Sequence, residues 1–257
     1  MPQLSMESVN EVARLGKPNF RFPKPEDYSW RVRHIRPESL IGYWPLDEVS
    51  GTVCHDLSGN ARNGSYVGVD LAKTGIGDGR TCPYFDGVND YVNIYSASLA
   101  AAFNGAEGTF LCWIKAVSAA DWAAATVGAM TRIAADAASN GIRILNGAAN
   151  DIEWKYIAGG ITVQVIAAAT VNKMDWQCLS MTWSKAIDQF RVYARGIQIG
   201  TTQTGLGVWT GTPTATRMIV GANTVDPALP LHGNLAHVAL WRSALSSQEN
   251  ESLGRVD

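Results

Sequence analysis

Charge is scarce in this sequence. Of its 257 residues only 17% are Asp, Glu, Lys or Arg, and the net charge is −2, against a charged fraction of ~25% in ordinary soluble domains. A near-neutral chain carries no electrostatic footprint of nucleic-acid or membrane binding, and neither partner is expected. No run of ~18 apolar residues occurs, which excludes a membrane-spanning helix. The start, MPQLSMESVNEVARLGK, has no basic stretch leading into an apolar one, so no signal peptide is expected. Cysteine is limited to Cys54, Cys82, Cys112 and Cys178, without a CxxC pair. That spacing favours reduced, buried thiols over a disulfide framework or a zinc site. A GxSxG turn is absent as well, and no Cys/His pairing points to nucleophilic catalysis.

What is present divides the chain in two. Residues 1–40 read as an arm. A short helix fits residues 5–15, with Ser5 as N-cap and Gly16 as stop. Pro18, Pro23, Pro25 and Pro37 then disfavour regular helix and predict an extended segment over residues 17–40. Aromatic and basic residues interleave along it: Phe20, Arg21, Phe22, Tyr28, Trp30, Arg31, Arg33 and Arg36. Residues 14–36 carry seven Lys/Arg against two acidic residues, whereas residues 41–257 hold 14 basic and 18 acidic side chains, so arm and body are of opposite sign.

The body, residues 41–257, reads as β throughout. Strand-like runs fall near 41–46, 82–86, 91–95, 107–116, 141–146, 152–158, 161–168, 176–184, 187–195, 216–222 and 234–242. Turn residues separate them, and Gly159-Gly160 between two such runs marks a hairpin. The Ala-rich stretch 118–138 is ambiguous between helix and strand. Ser246-Ser247-Gln248-Glu249 fits a capping box opening a terminal helix that covers a sheet edge or end. With no βαβ alternation, the fold class is all-β: a two-sheet antiparallel jelly-roll sandwich with an extended N-terminal arm. In 176–183, Leu179, Met181 and Trp183 alternate with Cys178, Ser180 and Thr182, so one face is expected in the core.

Six motifs in order give the body a likeness. Gly42-Tyr43-Trp44-Pro45-Leu46-Asp47-Glu48 leads to Asp56-Leu57-Ser58-Gly59-Asn60, then Tyr84-Phe85-Asp86-Gly87-Val88-Asn89-Asp90-Tyr91-Val92, then Gly108-Thr109-Phe110-Leu111-Cys112-Trp113. Trp176–Trp183 with Phe190–Gly196 follows, and Gly233–Trp241 with Ala244-Leu245-Ser246 closes the set. Over about residues 41–253 the chain resembles the concanavalin A-like lectin/glucanase superfamily in its laminin-G-like form.

The resemblance implies the sandwich but not an activity. Glucanases of the superfamily place carboxylates as Glu-x-Asp-x-x-Glu on one strand, flanking the scissile bond. This sequence has no such triplet, and Asp151 with Glu153 reads as solvated surface, so no catalytic residue is assigned. Many relatives hold a structural calcium near the first and last strands. Asp47, Glu48 and Asp56 stand near the opening, but Ala236-His237 replaces the closing acidic pair, which leaves the site short of ligands; no metal and no cofactor is expected. Trp44, Trp113, Trp176, Trp183 and Trp241 match core positions. Trp122, Trp154 and Trp209 are the candidates for stacking on glycans. His34, His55, His232 and His237 read as incidental.

The arm is the departure from a plain lectin domain. Its aromatic and Arg residues are of the kind that anchor interfaces. The expectation is a non-enzymatic virion surface subunit of a phage, a capsid decoration or tail-associated protein assembled in the host cytoplasm. Its arm would dock on other virion subunits such as the major capsid protein, or on copies of itself, and its sandwich would meet cell-surface glycans. The alternatives are a stand-alone carbohydrate-binding module and, behind it, a glycoside hydrolase.

Overall fold

The computed structural model describes residues 27–118, 128–147, 151–168, 174–226 and 228–256. These form two antiparallel sheets packed face to face. Sheet one runs β14 (Ile197–Gln203), β13 (Gln189–Ala194), β12 (Gln177–Ser184), β7 (Glu107–Ala116), β16 (His232–Trp241), β5 (Thr81–Asp86), β4 (Asp70–Thr74), and β1 (Leu40–Trp44) also pairs with β16. Sheet two runs β11 (Ile161–Ala168), β10 (Asp151–Ala158), β9 (Gly141–Asn146), β8 (Ala129–Ala134), β15 (Met218–Val220), β6 (Tyr91–Asn93), β3 (Gly64–Val67), β2 (Val53–Cys54). Each strand expected from the sequence is present. The strands that periodicity missed are β2, β3, β4, β8 and β14. Four of them are short or edge strands without a full apolar face, and β8 lies inside the Ala-rich stretch. Gly159 and Gly160 both take positive φ, 57° and 79°, and close the β10–β11 hairpin as their sequence predicts.

The inner core is aromatic. Trp44, Phe85, Phe110, Trp154, Tyr156, Trp183 and Phe190 are fully buried between the sheets. Leu179, Met181 and Val192 lie with them. The residues that alternate with these in β12 are not on an open face: all eight positions of that strand are buried. A second apolar cluster covers sheet one from outside, built on Trp113, Trp241, Leu111, Cys178 and Tyr43. All four cysteines are free and buried.

Two short helices close that outer face, α1 (Tyr28–His34) and α3 (Ser247–Leu253); α2 (Ala97–Ala102) lies elsewhere. The helix at Tyr28–His34 corrects the extended conformation expected for this part of the arm. Pro25 and Pro37 flank it rather than interrupt it. Asp27 accepts the Ser29 amide as N-cap, and the chain turns extended at Ile35, ahead of Pro37. Tyr28 and Val32 are fully buried. The Tyr28 ring meets Trp113 edge-on at 5.6 Å and its hydroxyl donates to the Leu253 carbonyl at 3.0 Å. The Trp241 indole donates to the Ile35 carbonyl at 2.9 Å.

α3 starts with the capping box read from the sequence. It lies on the outer face of sheet one, beside the edge strand β14. The Ser180 hydroxyl donates to Asn250 Oδ1 at 2.7 Å, a buried bond. Gly196 lets α3 approach, since a Cβ there would sit 2.6 Å from the Glu251 Cα. Arg36 clamps the segments that flank the sandwich strands, donating to both carboxylate oxygens of Glu249 at 2.6 and 2.8 Å.

Residues 27–38 are thus part of the sandwich. Tyr28→Ala is expected to lose about 3–5 kcal/mol of unfolding free energy, the range for truncating a large buried aromatic, as is Trp183→Ala in the inner core. Denaturant titration followed by tryptophan fluorescence checks both. Removing residues 1–38 should destabilise the chain by more than Tyr28→Ala does.

Candidate functional site

The residues marked from sequence as an assembly surface separate in the structure. Phe20, Arg21 and Phe22 lie outside the described residues. Tyr28 is buried in its own domain. Arg31 donates to the Ser252 and Arg255 carbonyls at 2.6 and 3.0 Å, and Arg36 pairs with Glu249. These three hold the C-terminal helix, which is why their aromatic and guanidinium groups do not stand free for a partner. Trp30 is half-exposed and stacks on His34 at 4.0 Å, while Arg33 is exposed.

The glycan-stacking candidates fare differently. Trp122 lies outside the described residues. Trp154 is fully buried in the inner core, because it alternates with outward-facing Glu153 and Lys155 on β10; it cannot stack on a ligand. Trp209 is half-buried. It packs on Phe103 at 5.3 Å and Tyr156 at 6.3 Å, and its ring lies against Gly105, so it serves as a plug at one end of the core.

The opening-loop carboxylates are each engaged by protein groups. Asp47 takes the Arg80 guanidinium. Glu48 accepts from the Tyr66 hydroxyl at 2.5 Å and from the His55 amide at 2.8 Å. Asp56 accepts the amides of Tyr43, Ser58 and Arg62, all at 2.9 Å. Among the described residues no three His, Cys, Asp or Glu side chains group to hold a metal ion. A guanidinium already neutralises Asp47, so this set does not fit a calcium ion.

His237, read as incidental from sequence, is the centre of that region. It stands at a bulge in β16, with φ 50°, and its amide donates to the Pro45 carbonyl at 3.0 Å. Nδ1 lies 2.8 Å from the Tyr43 hydroxyl and Nε2 lies 2.9 Å from Asp78 Oδ2, all buried. Tyr28 meets the ring edge-on at 4.7 Å. Burial pushes the imidazole pKa down despite the facing Asp78. Burial also pushes Asp78 up, but contact with His237 and the nearby Arg80 guanidinium outweigh it and leave the carboxyl below its usual value. Burial raises the Tyr43 phenol. At neutral pH the arrangement is therefore a carboxylate facing a neutral imidazole, whose Nδ1 accepts from Tyr43. The departure from the acidic pair at Ala236-His237 was the sequence signal for it.

Sheet two has an outer face as well, on which Leu145, Ile157 and Ile219 are buried and the polar side chains are mostly half-buried. Its central row is cationic. Arg132 on β8 stands directly opposite Arg143 on β9, and Arg143 directly opposite Lys155 on β10. Arg132 is buried and the other two are half-buried. Glu153 lies beside the row and pairs with Lys155 at 2.5 Å. Burial, with Arg143 and Arg217 near, takes the Arg132 pKa down to about 10, and burial lowers Arg143. Cross-strand like charges oppose folding. Periodicity places these residues outward, but their lateral alignment depends on strand register, which the sequence does not reveal.

A family model described as concanavalin A-like lectin/glucanases superfamily matches residues 74–249. No curated protein sequence matches the chain. Among solved structures, the chain is similar to the binding domain of Paraclostridial Mosquitocidal Protein 1, with 15% identity, a TM-score of 0.60, and coverage of 85% of this chain and 52% of that one. It is similar to domain 4 of AbnA, a GH43 extracellular arabinanase from Geobacillus stearothermophilus, in complex with arabinotriose, with 14% identity, a TM-score of 0.60, and coverage of 84% and 98%. It is also similar to the Ruminococcus gnavus IT-sialidase CBM40 bound to alpha2,3 sialyllactose, with 12% identity, a TM-score of 0.52, and coverage of 74% and 96%. The chain spans about half of the toxin binding domain and nearly all of the other two. At these identities the likeness is one of fold.

The His237 region generates a pH dependence. The imidazole is held neutral in the fold, so below its ordinary pKa of about 6.5 the unfolded chain takes up a proton that the folded chain resists. The lowered Asp78 carboxyl acts in the same direction at lower pH. Asp47, Asp78, Arg80, Tyr43 and Tyr28 face the ring and belong to the same balance. Stability should fall as pH drops from 7 to 5. His237→Gln should be less stable at pH 7 but with a flatter slope over that interval, measured by thermal unfolding. An unchanged slope would mean that His237 takes up its proton equally in the folded and the unfolded chain.

Proposed function

The chain belongs to the concanavalin A-like lectin/glucanases superfamily, and on that footing we propose that it is a non-catalytic binding protein presenting the outer face of sheet two to a saccharide. The supporting observation is the asymmetry of the sandwich. The outer face of sheet one is closed by α1 and α3, whereas the centre of sheet two carries half-buried polar side chains. Two structural neighbours are domains described with a bound oligosaccharide. Hydrolysis requires two carboxyl groups flanking the bond, one to protonate the leaving oxygen and one to attack or activate water. On the β10 part of this face the carboxylates are Asp151 and Glu153, and Glu153 is held by Lys155.

A second reading keeps the virion surface subunit, assembled in the host cytoplasm and docking on a capsid or tail partner or on copies of itself. What favours it is the interleaved aromatic and basic run of residues 18–36. Since Tyr28, Arg31 and Arg36 serve the chain's own fold, docking falls to Phe20, Arg21, Phe22, Trp30 and Arg33. In that reading the lectin-like face is what the particle displays.

Incubation of the full chain with an oligosaccharide array should show retention of at least one glycan and no release of reducing ends from it. Release of product that disappears in Glu153→Gln would replace the binding reading with a hydrolase. For the second reading, Trp30→Ala with Arg33→Ala should abolish any self-association seen by sedimentation velocity and leave glycan retention unchanged.

A further inference from the structure

The cation row on sheet two is a poor arrangement for folding alone. Arg132, Arg143 and Lys155 occupy three adjacent strands in direct register. Neighbouring strands lie about 4.8 Å apart, so the three side chains rise from a strip only about 10 Å wide. Arg217, just before β15, adds a fourth positive charge close enough to act on Arg132.

Their compensation is uneven. Arg132 is held by neutral acceptors and the field of Asp136: it donates to Asn223 Oδ1 at 3.0 Å and to the Ala137 carbonyl at 2.6 Å. It is thereby fixed as a floor rather than offered to a ligand. Lys155 has Glu153. Arg217 donates to the Thr216 hydroxyl, and its Nε is buried without a hydrogen-bond partner among the described residues. Arg143 is different. It makes no hydrogen bond or close ion pair among the described residues, and only the field of Glu153 offsets its partial burial. Asp136, at the rim, is already taken by Asn140 and by the amides of Ala138 and Ser139.

A half-buried guanidinium between two other cations is destabilising unless an anion completes it. Its planar fork suits two parallel bonds to a carboxylate or sulfate. We propose that Arg143, with Lys155 beside it on the floor made by Arg132, is the binding site for the acidic group of a saccharide, a ring carrying a carboxylate or a sulfate. This rests on the reading of the chain as a saccharide-binding protein and names the class of saccharide. The ligand's acid group sits over Arg143, and its hydroxyls reach outward along the row toward Gln164 on β11, which stands opposite Lys155.

The test is calorimetric titration of the full chain with three oligosaccharides of matched length, one neutral, one carboxylated and one sulfated, at low and at physiological salt. At least one acidic ligand should bind, more tightly at low salt, and the two acidic arms tell carboxylate from sulfate. Arg143→Gln should weaken that binding about 10- to 100-fold, the effect of losing one charge-assisted pair. The same variant should leave the melting temperature of the free protein unchanged or raise it, because a like charge is removed; a residue with a purely structural role would lower it. Lys73→Gln, which removes a cation on the far edge of sheet one, should change neither. Tight binding of the neutral ligand alone, or equal binding by Arg143→Gln, overturns this inference and leaves the saccharide-binding reading in place. Failure of all three ligands, together with an empty glycan array, overturns both.

Discussion

Sheet one has two apolar faces, and sheet two can cover only one of them. That constraint organises the molecule. β7, β12 and β16 point large side chains both ways: Phe110, Met181, Trp183 and Leu240 inward, and Leu111, Trp113, Cys178 and Trp241 outward. The outward set must be removed from water, at about 25 cal/mol per Å² of apolar area. The chain does this with its own flanks. Tyr28 and Val32 from one side of the sandwich sequence and Leu245 and Leu253 from the other meet over Trp113 and Trp241. Neither helix is long enough to persist alone. Each is stable because it completes a burial that the sheet leaves open.

The same crossing point carries the polar centre. β16 pairs with β5 through His232–Asn234 and with β1 through Val238–Trp241. His237 lies where one partner gives way to the other, and a bulge there interrupts the pairing with β7. A bulge turns a side chain off its normal alternation, and this one turns an imidazole between Tyr43 and Asp78. Arg80 and Asp47 extend the set. A region where the resemblance would place a bound cation is instead held by the chain's own Arg80 guanidinium on Asp47, with the neutral imidazole facing Asp78.

The sandwich was legible in the sequence because its core strands are long and alternate cleanly, as Leu179, Met181 and Trp183 do in β12. The Gly159-Gly160 hairpin and the Ser246–Glu249 capping box were legible because they depend on local chemistry alone. Polar edge strands such as β14, with Gln198, Thr201 and Thr202, carry no such pattern. The helix Tyr28–His34 was hidden by weighing four prolines as one signal, when only the positions of Pro25 and Pro37 bear on it. Trp154 goes to the core although polar Glu153 and Lys155 flank it in sequence, because a strand sends alternate residues to opposite sides. His237 and the Arg132–Arg143–Lys155 row are juxtapositions across strands remote in sequence, and register is what creates them.

The contact between α1 and α3 also gives the molecule a back and a front. Arg31 reaches the Ser252 and Arg255 carbonyls, and Tyr28 reaches Leu253, so the first and last described segments lie side by side on the outer face of sheet one. The cationic row lies on the opposite surface, across the full thickness of both sheets. Anything held directly against residues 27–36 or 247–256 therefore sits behind the sandwich. A tether on that side leaves the opposite surface facing away from its support, whether the support is another domain, a larger assembly or a solid matrix.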